Sequence, residues 1–220
     1  MIISVLKAKK VLVTAGPTHE YLDDIRFIGN RSSGKQGVEI AKYLHKLAAD
    51  VTLIIGPVNL DLSGLNKVIR VETAIQMNKA VIKAGPFDIA ICVAAVSDWR
   101  PKEKAKKKIK KIPGDKPPTL ELIENPDILK NICISENRPD LVVGFAAETD
   151  NLLSHARLKL KNKGCDWIIA NRVNSESPNM GGDKNEVTII KKNEEIHLER
   201  QTKEKIAELI CKKIVKEISR

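Results

Sequence analysis

Aromatic side chains are scarce, with three Phe, two Tyr and two Trp in 220 residues. The core must therefore be filled by Val, Ile, Leu and Ala. Long apolar runs are absent: none reaches the ~18 residues that a membrane-crossing helix needs. Met1 to Lys10 has only a short apolar stretch and no small-residue cleavage site, so the sequence carries no secretory signal and reads as cytoplasmic. Cysteine is sparse as well. Cys92, Cys133, Cys165 and Cys211 lie far apart with no C-x-x-C pair, which excludes a disulfide framework or a zinc knuckle and fits a reducing compartment. The dinucleotide fingerprint G-x-G-x-x-G is missing too.

What is present is a 42% hydrophobic chain carrying a net charge of +10. Most of that charge is local. Nine basic residues between Arg100 and Lys116 face only Glu103 and Asp115, so this segment alone carries +7. A run of this kind is usually a solvated, mobile surface. It could also be a flap, at about residues 100–118, that closes over phosphates. Nucleic acid is disfavoured as a partner, because no aromatic residue is interleaved for base stacking.

Apolar runs at 10–14, 51–55, 68–71, 88–95, 141–146 and 166–170 predict strands. Helical spacing over 34–47, from Thr73 to about Ala84, over 150–163 and over 202–218 places helices between and after them. Asn125-Pro126 is expected to open a further helix, with Asn125 as its cap. Residues 186–198 read as a hairpin about Asn193. Alternating strands and helices imply right-handed βαβ units. The expected fold is one α/β domain over residues 1–220, three-layered and Rossmann-like, with a mostly parallel sheet covered on both faces. A small antiparallel hairpin closes it. Ligands of such folds bind at strand C-termini, which singles out the loops 15–33, 95–118 and 171–185.

The first loop contains Gly29-Asn-Arg-Ser-Ser-Gly34-Lys35, close to a P-loop. However, Gln36 stands where the Mg²⁺-binding hydroxyl belongs, and the segment starts too far from its strand. What survives is an anion site of Ser32, Ser33 and Gly34 at a helix start, or simply a serine-capped helix. Asp98, after the small residues Ala94 and Ala95, can accept hydrogen bonds or hold a cation, or merely form a turn. Gly144 weakens an otherwise good strand and suggests a close approach by ligand or backbone. Phe145 is either core or a stacking surface for a base.

In order along the chain, VTAGPTHE, FIGNRSSGKQG, VTLIIGPV, VAAVSDWRPKE, KIKK, ENPDI, VVGFAAET and DKNEV resemble the phosphopantothenoylcysteine synthetases, from about Lys10 to Ile218. The resemblance implies a ligase of coenzyme A biosynthesis. Such an enzyme activates 4′-phosphopantothenate with CTP, and Mg²⁺, to an acyl cytidylate and couples it to L-cysteine. By matching motifs, Asn30 and Lys108 are the expected catalytic residues. Cys92, Val93, Ala94, Asp98, Lys108, Pro126, Asp127, Ile128, Leu129, Phe145, Lys159 and Lys163 are the expected nucleotide contacts. Asn30, Ser32, Ser33 and Gly34 are assigned to substrate and phosphate. The metal ligands stay unassigned.

The resemblance also implies a homodimer. With the first strand at residue 10, the decarboxylase half often fused to such domains is expected to be absent, so a separate decarboxylase is a candidate partner. Two other readings compete. A nicotinamide oxidoreductase would need the missing glycine fingerprint and an acid ending the second strand, where Gly56-Pro57 stands. A nucleic-acid module would rest on net charge alone.

Overall fold

In the computed structural model, residues 5–111, 113–114, 116–173 and 182–219 are described. Part of the expected third loop, 174–181, therefore lies outside the described residues. The chain order is β1 (Lys10–Ala15), β2 (His19–Tyr21), β3 (Phe27–Gly29), α1 (Lys35–Lys46), β4 (Asp50–Ile55), β5 (Lys67–Arg70), α2 (Ala74–Ala84), β6 (Ile89–Cys92), β7 (Trp99–Pro101), β8 (Leu122–Glu124), α3 (Ile128–Cys133), β9 (Leu141–Glu148), α4 (Leu152–Lys163), β10 (Trp167–Arg172), β11 (Lys184–Ile190), β12 (Glu195–Thr202) and α5 (Lys203–Ile218). Eight strands form one sheet in the order β12-β11-β10-β9-β6-β1-β4-β5. The six from β10 to β5 run parallel, and β11 and β12 add the antiparallel hairpin.

Strand alternation divides the core in two. Val11, Val13, Leu53, Ile55, Ile91 and Ile169 face α1 and α5, meeting Val38, Ile40, Leu44, Ile206, Ile210 and Ile214. Their neighbours Leu12, Ile54, Ala90, Val142 and Ile168 face α2, α3 and α4, meeting Met77, Val81, Leu129 and Ala156. A strand covered on both faces needs apolar residues at every position, which is why the middle strands read as unbroken runs.

Capping fixes where helices start. Thr73 and Gln76 form a capping box at α2, and the buried Glu20 adds an acceptor for the Ala74 N–H at 2.9 Å. Thr202 caps α5 through the Lys205 N–H. Each such cap is worth about 1 kcal/mol. At α3 the expectation is corrected. The cap is Asp127, whose Oδ1 accepts from the Lys130 N–H at 3.0 Å. Asn125 instead donates its amide to the Ser97 carbonyl at 2.9 Å and its backbone N–H to the Asp98 carbonyl at 2.8 Å. It ties the loop after β6 to the entrance of α3.

Two short antiparallel ribbons, β2–β3 and β7–β8, rise outside the sheet. Strands of three residues carry no readable period, so residues 19–29 read as plain loop. His19 stacks on Phe27 with ring centroids 3.7 Å apart, holding the first ribbon together.

Candidate active site

At the C-terminal ends of the middle strands lie two adjoining cavities, of about 320 Å³ and 390 Å³. They share Ala94, Val96, Asp98, Phe145 and Lys159 as a common rim. Parallel strands bring this about: loops leaving β1, β6 and β9 all emerge at the same edge.

The first cavity lies toward α3 and α4. Cys92, Ala94, Asp98, Pro126, Asp127, Ile128, Leu129, Phe145, Lys159 and Lys163 line it, all of them expected nucleotide contacts. Val93 lines the second cavity instead, because it points the other way from its neighbours on the same extended segment. Thr14, Val96 and Asn125 join the first wall, and sequence reading had not singled them out as contacts. Thr14 accepts from the Ala94 N–H at 3.4 Å, and Thr18 accepts from the Ser97 N–H at 3.0 Å. The turn bearing Asp98 is thus clamped from below.

Cations and carboxylates alternate around this cavity. Lys159 donates to the Phe145 carbonyl at 2.9 Å. Burial holds its pKa below the usual lysine value, and repulsion from Lys163, one helical turn away, adds to that. Lys163 forms an ion pair with Asp127. Two ammonium groups thus face this cavity, one paired with a carboxylate and the other held by a backbone carbonyl. Cys92 is no nucleophile at neutral pH, since burial pushes its thiol up to about 12.

The glycine at 144 serves packing rather than a ligand. A β-carbon there would stand 2.6 Å from Leu129 Cδ2 and 2.9 Å from Ile168 Cδ1. The missing side chain lets α3 settle onto the sheet and carry Asp127 to the cavity.

The second cavity lies on the α1 side. Asn30, Ser32, Ser33 and Gly34 all line it, as expected of substrate contacts. Gly34 has φ 72, a left-handed conformation that an L side chain resists, and it turns the chain into α1. Ser32 and Ser33 accept from the N–H groups of Gly34 and Lys35 at 3.3 and 3.4 Å. The Asn30 amide nitrogen donates to the carbonyls of Ala95 and Val96 at 3.3 and 3.2 Å. Asn30 therefore sits beside the rim between the cavities.

Gln36 shows why the P-loop pattern stops short. Its amide donates to the Lys203 carbonyl at 3.1 Å and accepts from Asn185 at 3.1 Å, so it braces the cavity floor. Sequence reading missed Lys203, Asn171 and Asn185 as cavity residues. Asn171 and Asn185 stand at the two ends of the singled-out loop 171–185, and Asn185 also lies inside the DKNEV motif, whereas Lys203 carried no signal.

Lys108 is exposed and lines neither cavity. Its segment is fastened to the turn between β2 and β3. The buried Asp23 accepts from the N–H groups of Ile25, Arg26 and Ile109, and Arg26 donates to both Asp23 and the Ile109 carbonyl. These bonds, the Ile25 N–H foremost, bring the Asp23 carboxyl down to about 2. Lys104 pairs with Asp24 at 2.7 Å on the same turn. Among the described residues, no group of three or more His, Cys, Asp or Glu could hold a metal ion. Nor is any helix among them long and apolar enough to cross a membrane.

Comparison with known proteins bears on the fold and the family. A crystal structure of the C-terminal domain of the coenzyme A biosynthesis bifunctional protein CoaBC superposes with a TM-score of 0.81 at 34% identity, covering 98% of each chain. A Cab2 variant in complex with phosphopantothenate-cysteine shares the fold at a TM-score of 0.74 and 18% identity, with 99% of this chain and 90% of that one covered. CoaBC of Vibrio cholerae is 41% identical over 209 residues, 94% of this chain and 52% of that protein. CoaBC of Bacillus subtilis is 43% identical over 186 residues, 84% of this chain and 45% of that protein. The chain thus spans about half the length of the curated relatives it matches. Residues 6–218 match the DNA/pantothenate metabolism flavoprotein C-terminal domain, and the chain belongs to that family.

Proposed function

We propose that this chain is a phosphopantothenate–cysteine ligase. A carboxylate oxygen of 4′-phosphopantothenate attacks the α-phosphorus of CTP, and the bond to pyrophosphate breaks. The amine of L-cysteine then attacks the acyl carbon, the bond to CMP breaks, and the amine gives up a proton. The observation that carries this reading is the pair of cavities meeting at one rim. A two-substrate condensation needs both partners held with their reacting atoms in contact.

In this reading the nucleotide occupies the cavity of Asp98, Asp127, Lys159 and Lys163, with its α-phosphate at the rim. Lys159 and Lys163 neutralise phosphate charge. Asn30 orients the acyl cytidylate and steadies the oxyanion formed during amine attack. Lys108 reaches the phosphates when its segment leaves Asp23 and closes. Mg²⁺ would arrive with the triphosphate and offset its charge. Asp98, the carboxylate on the shared rim, suits an ion that keeps mostly phosphate and water oxygens. The same reading carries a homodimer, a cytoplasmic location and association with a decarboxylase.

Pyrophosphate release tests it. With CTP present, release should require phosphopantothenate, and CMP and the amide should appear only after cysteine is added. Release that ignores phosphopantothenate would exclude the ligase.

A further inference from the structure

The lysine-rich segment is carried on a stalk whose feet stand in the wall of the first cavity. β7 and β8 pair antiparallel, with Trp99 opposite Glu124, Arg100 opposite Ile123 and Pro101 opposite Leu122. The Lys102 N–H donates to the Glu121 carbonyl at 2.9 Å, and the Lys102 ammonium pairs with the Glu121 carboxylate at 2.8 Å, which extends the ribbon by one rung. Lys108 lies in the connection between these strands. One foot is Asp98, directly before β7. The other is the run Asn125-Pro126-Asp127, directly after β8. Each of these residues lines the first cavity.

Asn125 joins the feet. Its side-chain amide donates to the Ser97 carbonyl at 2.9 Å, and its backbone N–H donates to the Asp98 carbonyl at 2.8 Å. Its side-chain oxygen accepts from the Arg100 guanidinium at 3.2 Å, and Arg100 also donates to the Glu124 carbonyl. The asparagine amide suits this place because it offers a donor and an acceptor together. Asp127 is fixed on its own side, as the cap of α3 and the partner of Lys163. Among the described residues the Asp98 side chain makes no hydrogen bond or ion pair, so its backbone alone aims it. That backbone is the one Asn125 holds.

We propose that Asn125 is a positioning residue for the nucleotide, fixing Asp98 against Asp127 at the base of the flap's stalk and so setting the width of the cavity between them. Through Arg100 the same residue ties that spacing to the ribbon that carries Lys108. Asn125 acts through its neighbours and not on the reacting atoms. This role rests on the ligase reading, which puts the nucleotide in the first cavity.

The experiment titrates the full chain with CTP in a calorimeter, without phosphopantothenate, comparing wild type with Asn125→Asp and Arg100→Gln. Asn125→Asp keeps the shape and the acceptor for Arg100 but sets an oxygen against the Ser97 carbonyl. It should weaken CTP binding about tenfold, the worth of a hydrogen bond whose partner is left unpaired. In turnover the loss should fall on KM for CTP, with KM for phosphopantothenate unmoved. Arg100→Gln leaves the bonds to Ser97 and Asp98 in place and should lose about threefold. Made in an Asp98→Ala background, Asn125→Asp should cost much less, because the carboxylate it aims is gone. Wild-type CTP affinity in Asn125→Asp, an equal cost in both backgrounds, or a matching rise in both KM values overturns the proposal. Should Asn125→Asp fail to fold, Arg100→Gln carries the test, and wild-type CTP affinity in that variant overturns the proposal. No CTP binding by the wild type would overturn the ligase reading and the proposal together. CTP binding that responds to Asn125→Asp as expected, with pyrophosphate release that ignores phosphopantothenate, would overturn the ligase reading alone.

Discussion

The two cavities share a rim but are stabilised in different ways. The first cavity is enclosed by strand ends of β1, β6 and β9, with α3 and α4 leaning on one face of the sheet. Its charges are matched within short reach, as with Lys163 and Asp127. The other cavity is closed by α1 and α5, which come from opposite ends of the chain, and it holds a lysine almost wholly out of water. The lining of the first runs from Thr14 on β1 to Lys163 on α4, whereas the second also needs the start of the C-terminal helix. The contrast teaches that two cavities sharing one rim can be closed by opposite faces of the same sheet.

The largest effect that would sharpen this contrast belongs at the rim itself. Asn30→Ala should reduce amide formation by about 10²–10³, the scale of a lost oxyanion donor. Acyl cytidylate should accumulate in rapid-quench samples. Amide formation at the wild-type rate would remove Asn30 from the chemistry.

Next is the nucleotide side alone. Lys159→Met should lower kcat/KM for CTP by about tenfold to a hundredfold, leaving KM for phosphopantothenate unchanged. Because burial and Lys163 depress the Lys159 pKa, its charge is lost as pH rises, before the ordinary lysine value of 10.5. CTP affinity in the wild type should therefore fall on the approach to that pH. Lys159→Met should flatten the profile, and a steep fall kept in the variant would assign the titration elsewhere.

Smaller effects are expected from the flap. Lys108→Gln should reduce turnover by about tenfold through lost charge stabilisation. Asp23→Asn should change it by about threefold to tenfold, as one charged acceptor is weakened. Hydrogen exchange at Ile109 should quicken in Asp23→Asn. The Asp23 carboxyl is lowered from 3.8 to about 2, so its contribution is complete above 3.8 and is lost as pH falls through about 2. Equal exchange in variant and wild type would show that Asp23 does not hold the flap.

The smallest effect on rate comes from packing. Gly144→Ala forces Leu129 and Ile168 aside and should destabilise the fold by about 1–3 kcal/mol, read by chemical denaturation. A gain in stability would mean that α3 has slack to spare.

The buried strands were legible because two-sided burial writes unbroken apolar runs. That the motif residues of the first cavity share one wall was legible for a related reason, since they cluster within short segments such as Pro126–Leu129. The ribbons β2–β3 and β7–β8 were not, being too short to show a period. Asn125 looked like a cap because its residue type suits one, yet its side chain was taken by a carbonyl 28 positions away. Nothing local marks Lys203 either. It stands among similar lysines on an amphipathic helix, and its carbonyl accepts from Gln36, 167 positions away in the chain.

The most direct test is a crystal of the full chain with phosphopantothenate and a non-reacting CTP analogue bound together. The cytidine should lie between Asp98 and Asp127, and the pantothenate carboxylate beside Asn30 and within reach of the α-phosphate. Nucleotide in the Ser32–Lys203 cavity, or a carboxylate held away from the rim, would contradict the account.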